Sequence, residues 1–226
     1  MSRHLNHDLT EAYNRLLSLS GKVEEMVDLS VSALMERNST TAQKVIDFDA
    51  EIDQMEVRIE EDCLKMLALH QPVATDLRRL TTMMKINNDL ERMADLACNV
   101  AERALHLQSP KFSIPEQISQ MAKQTKSMVG DALNAFVNLD IALAFQVIAQ
   151  DEIVDKLNVD VIDTLTEQMQ QQADWIPPAL HCFSASRHLE RIADHATNIA
   201  EDVIYMVNGV IVRHRHGDDQ LRIEKT

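Results

Sequence analysis

The chain has 226 residues, with 4 Gly, 5 Pro and 4% aromatic residues, so few residues end helices and we predict an all-α protein with a sizeable core. Its formal net charge of −14 repels nucleic-acid phosphates and anionic lipids, so we expect no nucleic-acid partner. No apolar run approaches the roughly 20 residues of a membrane-spanning helix, and the three cysteines are widely spaced, as is typical of reduced thiols. We therefore expect a soluble cytoplasmic protein without direct membrane insertion.

Turn-forming residues divide the chain into six long predicted helices. These cover residues 5–36, 40–70, 73–107, 115–138, 140–172 and 177–210. The turns between them are short, and short connections make consecutive helices antiparallel neighbours. Each half is therefore predicted to be an up-down-up three-helix bundle, with the first at 1–108, a linker at 109–115 and the second at 116–212. The polar tail at 213–226 is expected to be frayed.

One segment of the third predicted helix returns in the sixth. Residues 90–102 read LERMADLACNVAE and residues 189–201 read LERIADHATNIAE, with nine of thirteen positions identical. A match of this quality at a single spacing indicates an internal duplication of a unit of about one hundred residues. Acids, an amide and an arginine are repeated along with the apolar residues, so the duplication indicates a candidate site that occurs twice.

The repeated acids lie on one stripe of each helix. At 100° per residue, Glu91, Asp95, Asn99 and Glu102 fall within one narrow sector, opposite the apolar stripe that faces the core. The motif repeats this stripe in the sixth helix with Glu190, Asp194, Asn198 and Glu201. We therefore expect both sets of acids on outer faces.

Two further acidic pairs are predicted to lie beside the repeated ones. Asp49 and Asp53 of the second helix are as far from the turn at Pro72 as Glu91 and Asp95 are. In the second half, Asp151 and Asp155 have the same relation to Glu190 and Asp194 across the turn before Trp175. Residues equidistant from the turn of an antiparallel hairpin lie level with each other, so each half is predicted to bring four carboxylates together.

Clustered carboxylates with a nearby amide are hard oxygen ligands, and they suit a divalent or ferric ion such as Mg²⁺, Mn²⁺ or iron. The predicted metal ligands are Asp49, Asp53, Glu91, Asp95, Asp151, Asp155, Glu190 and Asp194. Further candidates are Asn99, Glu102, Asn198, Glu201 and His195, the last because it lies inside the second copy of the motif. The alternative is that these acids form solvated helix faces, neutralised by nearby basic residues.

Several motifs resemble those of the PhoU family. They are PVATDLR at 72–78, KINNDLERMAD at 85–95 and the second copy at 189–201, and the resemblance covers residues 5–208. It implies two tandem three-helix bundles whose paired acids, at the eight positions above, bind metal clusters. It also implies a homodimeric, non-enzymatic cytoplasmic adaptor between the ATPase of the phosphate ABC transporter and a membrane sensor histidine kinase. Such an adaptor represses the phosphate-starvation response when phosphate is ample.

Two other classes of function are alternatives to the adaptor. A carboxylate-bridged metalloenzyme of the helical-bundle type draws on inward-pointing glutamates and a Glu-x-x-His pair, which the motifs here do not contain. A purely structural dimerisation module would use the acids for nothing specific.

Overall fold

The computed structural model describes residues 3–107 and 111–212, and these ranges contain α-helices, one short 3₁₀ helix and no strand. The α-helices are α1 (Arg3–Glu36), α2 (Ser39–His70), α3 (Ala74–His106), α4 (Glu116–Asn138), α5 (Ile141–Gln171) and α6 (Ile176–Asn208), with the 3₁₀ helix at Ala173–Trp175. The prediction of an all-α fold with six long helices is confirmed. The predicted tail at 213–226 and the first two residues of the predicted linker lie outside the described residues.

Short polar residues set several of the helix ends. The Asn38 side chain accepts a hydrogen bond from the Thr41 N–H (3.1 Å), and Asp140 caps α5 in the same way through the Leu143 N–H (3.0 Å). At the end of α6, Gly209 adopts the left-handed conformation (φ 73°), which glycine reaches without strain. The helix ends therefore follow from local chemistry.

The positions of the prolines relative to the helix starts differ slightly from the sequence prediction. The sequence predicts a third helix that begins at residue 73, directly after Pro72, and the helix begins at Ala74. Gln71 ends α2 in the left-handed region (φ 43°), and Val73 is extended before α3 begins. The reversal therefore uses residues 71–73. In α6 the prolines follow the first residue directly, in the turn where a missing N–H breaks no helical bond.

The six helices form two layers. Within each half the three helices pack on one another, and the halves join through α3 against α6 and α1 against α4. Helices α2, α3, α6 and α5 therefore lie side by side in one layer, and α1 and α4 cover one side of it. We call the opposite, uncovered side of this layer the open face. One continuous core of buried apolar residues runs through both halves.

Helices α3 and α6 pair in antiparallel orientation. Lys85 lies 3.1 Å from Asp202, and the rings of His106 and His181 stack with centroids 4.7 Å apart. As the residue number rises along α3, the partner number on α6 falls. Since α3 and α6 carry the repeated motif, this seam relates the two halves by an approximate two-fold axis.

The second junction, between α1 and α4, depends on polar contacts. The Tyr13 hydroxyl lies 3.1 Å from the Phe136 carbonyl oxygen and 3.2 Å from that of Val137, in the last turn of α4. Lys126 of α4 also lies 2.6 Å from Asp28 of α1. These contacts hold the covering layer together.

Within residues 3–107 and 111–212, no helix has both the length and the apolar character required to cross a membrane.

Replacing Tyr13 by Phe is expected to lower the stability of the protein. The change keeps the aromatic ring, 5.1 Å from the Phe136 ring, and removes the hydroxyl that donates to the α4 carbonyls. A lost hydrogen bond of this kind costs about 1 kcal/mol, equivalent to roughly 2–4 °C in Tm for a chain of this size. Tyr205→Phe is the matched control, and thermal unfolding followed by circular dichroism is the measurement. Equal Tm values for the two variants would contradict a role of Tyr13 at this junction.

Candidate metal sites on the open face

The acidic pairs of the first half lie beside each other, as the register predicts. Burial raises the pKa of Asp49, and the charges of Asp53 on its own helix and Asp95 on α3 raise it further, while a hydrogen bond from Cys98 lowers it. The pKa of Glu91 is raised by burial and then by Asp95, with smaller contributions from α2. Carboxylates of α2 and α3 are therefore close enough to repel one another.

One arginine partly compensates this cluster. Arg92 Nε lies 3.3 Å from Glu91 Oε2, and Arg92 Nη1 lies 3.3 Å from Asp95 Oδ2. The Arg92 side chain is half exposed, so solvent weakens its attraction to the acids. One cation beside a group of acids therefore leaves the site with a net negative charge.

The second half repeats the arrangement around Asp194. This residue is exposed as a whole, but protein atoms crowd its carboxyl group. Burial and then the charges of Asp151, Glu190 and Asp155 raise the pKa of Asp194 to about 6, and His195 opposes them. The predicted neighbours on α5 and α6 thus come together as well.

The further candidate metal ligands are placed less favourably for binding a metal ion. His195 Nδ1 lies 2.8 Å from Asp89 of α3, and Asn198 Nδ2 lies 3.5 Å from the same carboxylate, so both contact the seam. Asn99 donates to the Asp95 backbone carbonyl of its own helix. Glu102 Oε2 pairs with Arg103 at 3.0 Å.

The expectation that all acids of the repeated motif lie on an outer face is wrong for Glu201, which is 6% exposed. This position lies toward the end of α6 that packs along α3, where Lys85 of α3 reaches the neighbouring Asp202. The helical angle alone placed Glu201 outside, because it contains no information about where the other bundle packs.

Sequence reasoning missed the hydrogen-bond donors that hold two of the acids. Cys98 Sγ donates to Asp49 Oδ1 (3.4 Å), and Thr197 Oγ1 donates to Asp151 Oδ1 (3.3 Å). Cys98 and Thr197 occupy the same place in the two copies of the motif. The sequence does indicate this role, because the same position of the motif has a hydrogen-bond donor in both copies, a thiol in one and a hydroxyl in the other.

The two sites differ in one acid. In the first half, Asn87 of α3 donates to Glu56 of α2 at both its backbone (3.0 Å) and its side chain (3.3 Å). On α5, Asn158 stands where α2 has Glu56. It donates to Glu190 Oε1 (3.4 Å) and accepts from Ser186 (3.1 Å). The first site therefore has a carboxylate where the second has an amide.

A buried carboxylate oxygen without a hydrogen bond occurs at the same position in both halves. Glu91 Oε2 and Glu190 Oε2 are buried and make no hydrogen bond within the described residues, although Arg92 lies near the first. Buried carboxylate oxygens normally have partners, and a hard cation is a suitable partner for each. The donor set therefore fits a metal ion. Within 3–107 and 111–212, however, no three His, Cys, Asp or Glu side chains are already grouped closely enough to hold one.

Comparison with known proteins identifies relatives that match nearly the whole chain. The profile described as "PhoU domain" matches twice, at residues 16–104 and 118–203. A Pseudomonas putida protein named "Phosphate-specific transport system accessory protein PhoU homolog" is 39% identical over 218 residues, which are 95% of this chain and 84% of that protein.

Two solved structures share the fold. The crystal structure of PhoU from Pseudomonas aeruginosa has a TM-score of 0.88 and 38% identity, covering 91% of this chain and 99% of that one. That of the phosphate transport system regulatory protein PhoU from Streptococcus pneumoniae has a TM-score of 0.85 and 30% identity, covering 92% and 99%.

Replacing Asp194 by Asn is expected to stabilise the protein in chelator at pH 8. The folded-state pKa, about 6, exceeds the ordinary value of 3.8, so this carboxylate's contribution to stability falls as pH rises from about 4 to 6 and stays unfavourable above. With allowance for solvent screening, removing the charge should contribute about 1 kcal/mol, or roughly 2–4 °C in Tm. Thermal unfolding at pH 8 and pH 4 is the measurement, and the difference should vanish at pH 4. A variant less stable than the parent at pH 8 would show that the carboxylate is structurally required.

Proposed function

The chain belongs to the PhoU family, and we propose from that premise that it is an accessory protein of a phosphate-specific transport system that regulates phosphate uptake. The observation that carries the proposal is that the relatives match along nearly the whole chain, with the family profile present in both halves. The P. putida relative is named as an accessory protein of this transport system, and the S. pneumoniae structure is described as a regulatory protein.

We further propose that the protein acts as a non-enzymatic cytoplasmic adaptor between the transporter ATPase and a membrane sensor histidine kinase, as a homodimer. In this role it represses the phosphate-starvation response when phosphate is ample. The open face supports an adaptor because its acids border solvent, where a basic partner surface can reach them. Catalysis by carboxylates in a helical bundle instead uses inward-pointing groups, and the motif acids point away from the core with the exception of Glu201.

Metal binding would use the same acids. The first set is Asp49, Asp53, Glu91 and Asp95, and the second set is Asp151, Asp155, Glu190 and Asp194. A bound hard cation supplies positive charge to carboxylates that otherwise repel one another. Cys98 and Thr197 orient one aspartate of each set, while Arg92 and Arg187 share the charge of the glutamates, with Arg187 Nη1 lying 2.6 Å from Glu190 Oε1.

Neutralising either set should reduce metal binding without unfolding the protein. We expect the double variants Glu91→Gln/Asp95→Asn and Glu190→Gln/Asp194→Asn each to lose about one set's share of bound Mn²⁺. The Mn²⁺-induced rise in Tm should shrink accordingly, because the side chains keep their shape and lose only their charge. Metal analysis after dialysis and thermal unfolding with and without Mn²⁺ are the measurements.

The control for this experiment is Glu11→Gln/Glu25→Gln, which makes the same charge change on exposed positions of α1, in the other layer. If the control and the site variants lose Mn²⁺ equally, the effect is one of net charge and the assigned ligands are wrong. Unchanged binding in both site variants would also refute the assignment.

Deletion of the gene should raise expression from a phosphate-starvation promoter in cells grown with ample phosphate. The intact chain should restore repression, and it should retain the transporter ATPase and the kinase in a pull-down from the same cells. Repeating the pull-down with chelator tests whether the acids act through a metal. Normal repression in a deletion strain that has no second copy would rule out the regulatory role.

A further inference from the structure

The two ends of the α3–α6 seam are equivalent by the internal repeat but differ in charge. At one end two basic side chains meet an acid across the seam: Lys85 lies 3.1 Å from Asp202, and His195 lies 2.8 Å from Asp89. Lys85 also lies over the Tyr205 ring, 5.3 Å from its centroid. At this end Asp89 and Asp202 therefore each have a basic side chain across the seam.

The other end, which we call the histidine end, comprises Arg103, His106, His181, Ser184 and His188. In the repeat, Arg103 stands where the first end has Asp202, and His188 stands where it has Asp89. Basic groups thus replace the two acids of the seam. The counterpart of Lys85 is Ser184, so no acid stands at that position to balance the added basic groups.

Two buried nitrogens of the histidine end lack hydrogen-bond partners within the described residues. Arg103 Nε and His188 Nδ1 are buried and have no hydrogen-bond partner within residues 3–107 and 111–212. The remaining contacts of these side chains are accounted for: Arg103 Nη2 pairs with Glu102 (3.0 Å), and His188 Nε2 contacts the Ser184 hydroxyl (3.2 Å). Unsatisfied buried nitrogens are rare in folded proteins and call for a partner.

Basic side chains surround these nitrogens. His106 and His181 stack with rings 12° from parallel, and burial, His106 and Arg103 lower the pKa of His181. Burial and then the charges of Arg103 and Arg191 lower the pKa of His188, while the charge of Glu102 opposes them. In a chain of net charge −14, such a concentration of basic groups is a local exception.

We propose that the histidine end binds a small tetrahedral oxyanion of the phosphate class. An oxyanion has several acceptor oxygens, so it can accept from Arg103 of α3 and His188 of α6 at the same time. It would supply the negative charge that Asp89 and Asp202 supply at the other end of the seam. The Arg103 side chain is 28% exposed and His106 is exposed, so this end of the seam borders solvent.

The site is separate from the carboxylate sets in its chemistry, since it takes an anion where they take a cation. It therefore does not depend on the proposed metal ions, and it is tested with chelator present. Failure of this proposal would leave the adaptor role and the metal sites as they stand.

The experiment measures the Tm of the full chain and the ³¹P line width of orthophosphate, with EDTA and at constant ionic strength set with chloride. We expect orthophosphate to raise Tm above the chloride reference and its signal to broaden. Arg103→Gln and His188→Asn should each weaken binding about ten- to a hundredfold, as expected for losing a hydrogen bond to a charged group. Sulfate, which has the same shape, is the second probe, and a response to it supports the same class of site.

The matched control is Arg79→Gln, which removes one positive charge from an exposed position of α3 and should bind orthophosphate as the parent does. Circular dichroism confirms that each variant is folded, and His188→Asn decides the outcome if Arg103→Gln is not. The proposal is overturned if neither anion raises Tm beyond chloride. It is also overturned if the folded variants bind as tightly as Arg79→Gln.

Discussion

The antiparallel packing of α3 against α6 is the contact on which the rest of the structure depends. Each of these helices is also the central helix of its own bundle, since α3 contacts α1 and α2 while α6 contacts α4 and α5. A helix with neighbours on three sides has only one side left for solvent. For both helices this side lies on the open face, and the repeated acids other than Glu201 point there because every other direction is filled.

Placing those acids on the open face has an electrostatic cost. The side chains of Glu91 and Glu190 are only 19% and 15% exposed, and each stands among other carboxylates. The arginines beside them relieve part of the repulsion, yet burial and neighbouring acids still raise the pKa of Glu91 and Asp194. A structure that keeps this strain in both halves is consistent with a surface that is completed by cations or by a basic partner.

The two copies of the duplicated unit have diverged at positions where one helix contacts another. Cys98 and Thr197 both donate to an aspartate, so the contact is kept while the atom type changes. Glu56 and Asn158 differ in charge, and Arg103 and Asp202 differ in sign. The two halves thus share a scaffold but present different charges, which gives one chain two unequal acidic sites and a seam with one matched end and one basic end.

Much of the architecture can be predicted from the sequence, because it depends on contacts between residues of the same helix or of adjacent helices in the chain. Helix ends follow from caps such as Asn38 and Asp140, and the level placement of Asp49 beside Asp95 follows from their equal distance to one turn. These are local constraints, so periodicity and turn chemistry suffice to predict them. Together with the family motifs they determine the all-α fold, the repeat and the two acidic clusters.

Only the tertiary structure decided how the two halves meet. Three features arise where α3 and α6 pack together. They are the contact of His195 with Asp89, the burial of Glu201, and the buried nitrogens of Arg103 and His188 that have no hydrogen-bond partner within the described residues. These residues are separated by about the length of one repeat, and no helical period relates them. Their partners are set by the side-by-side packing of two bundles, which buries faces that each bundle by itself would leave in water.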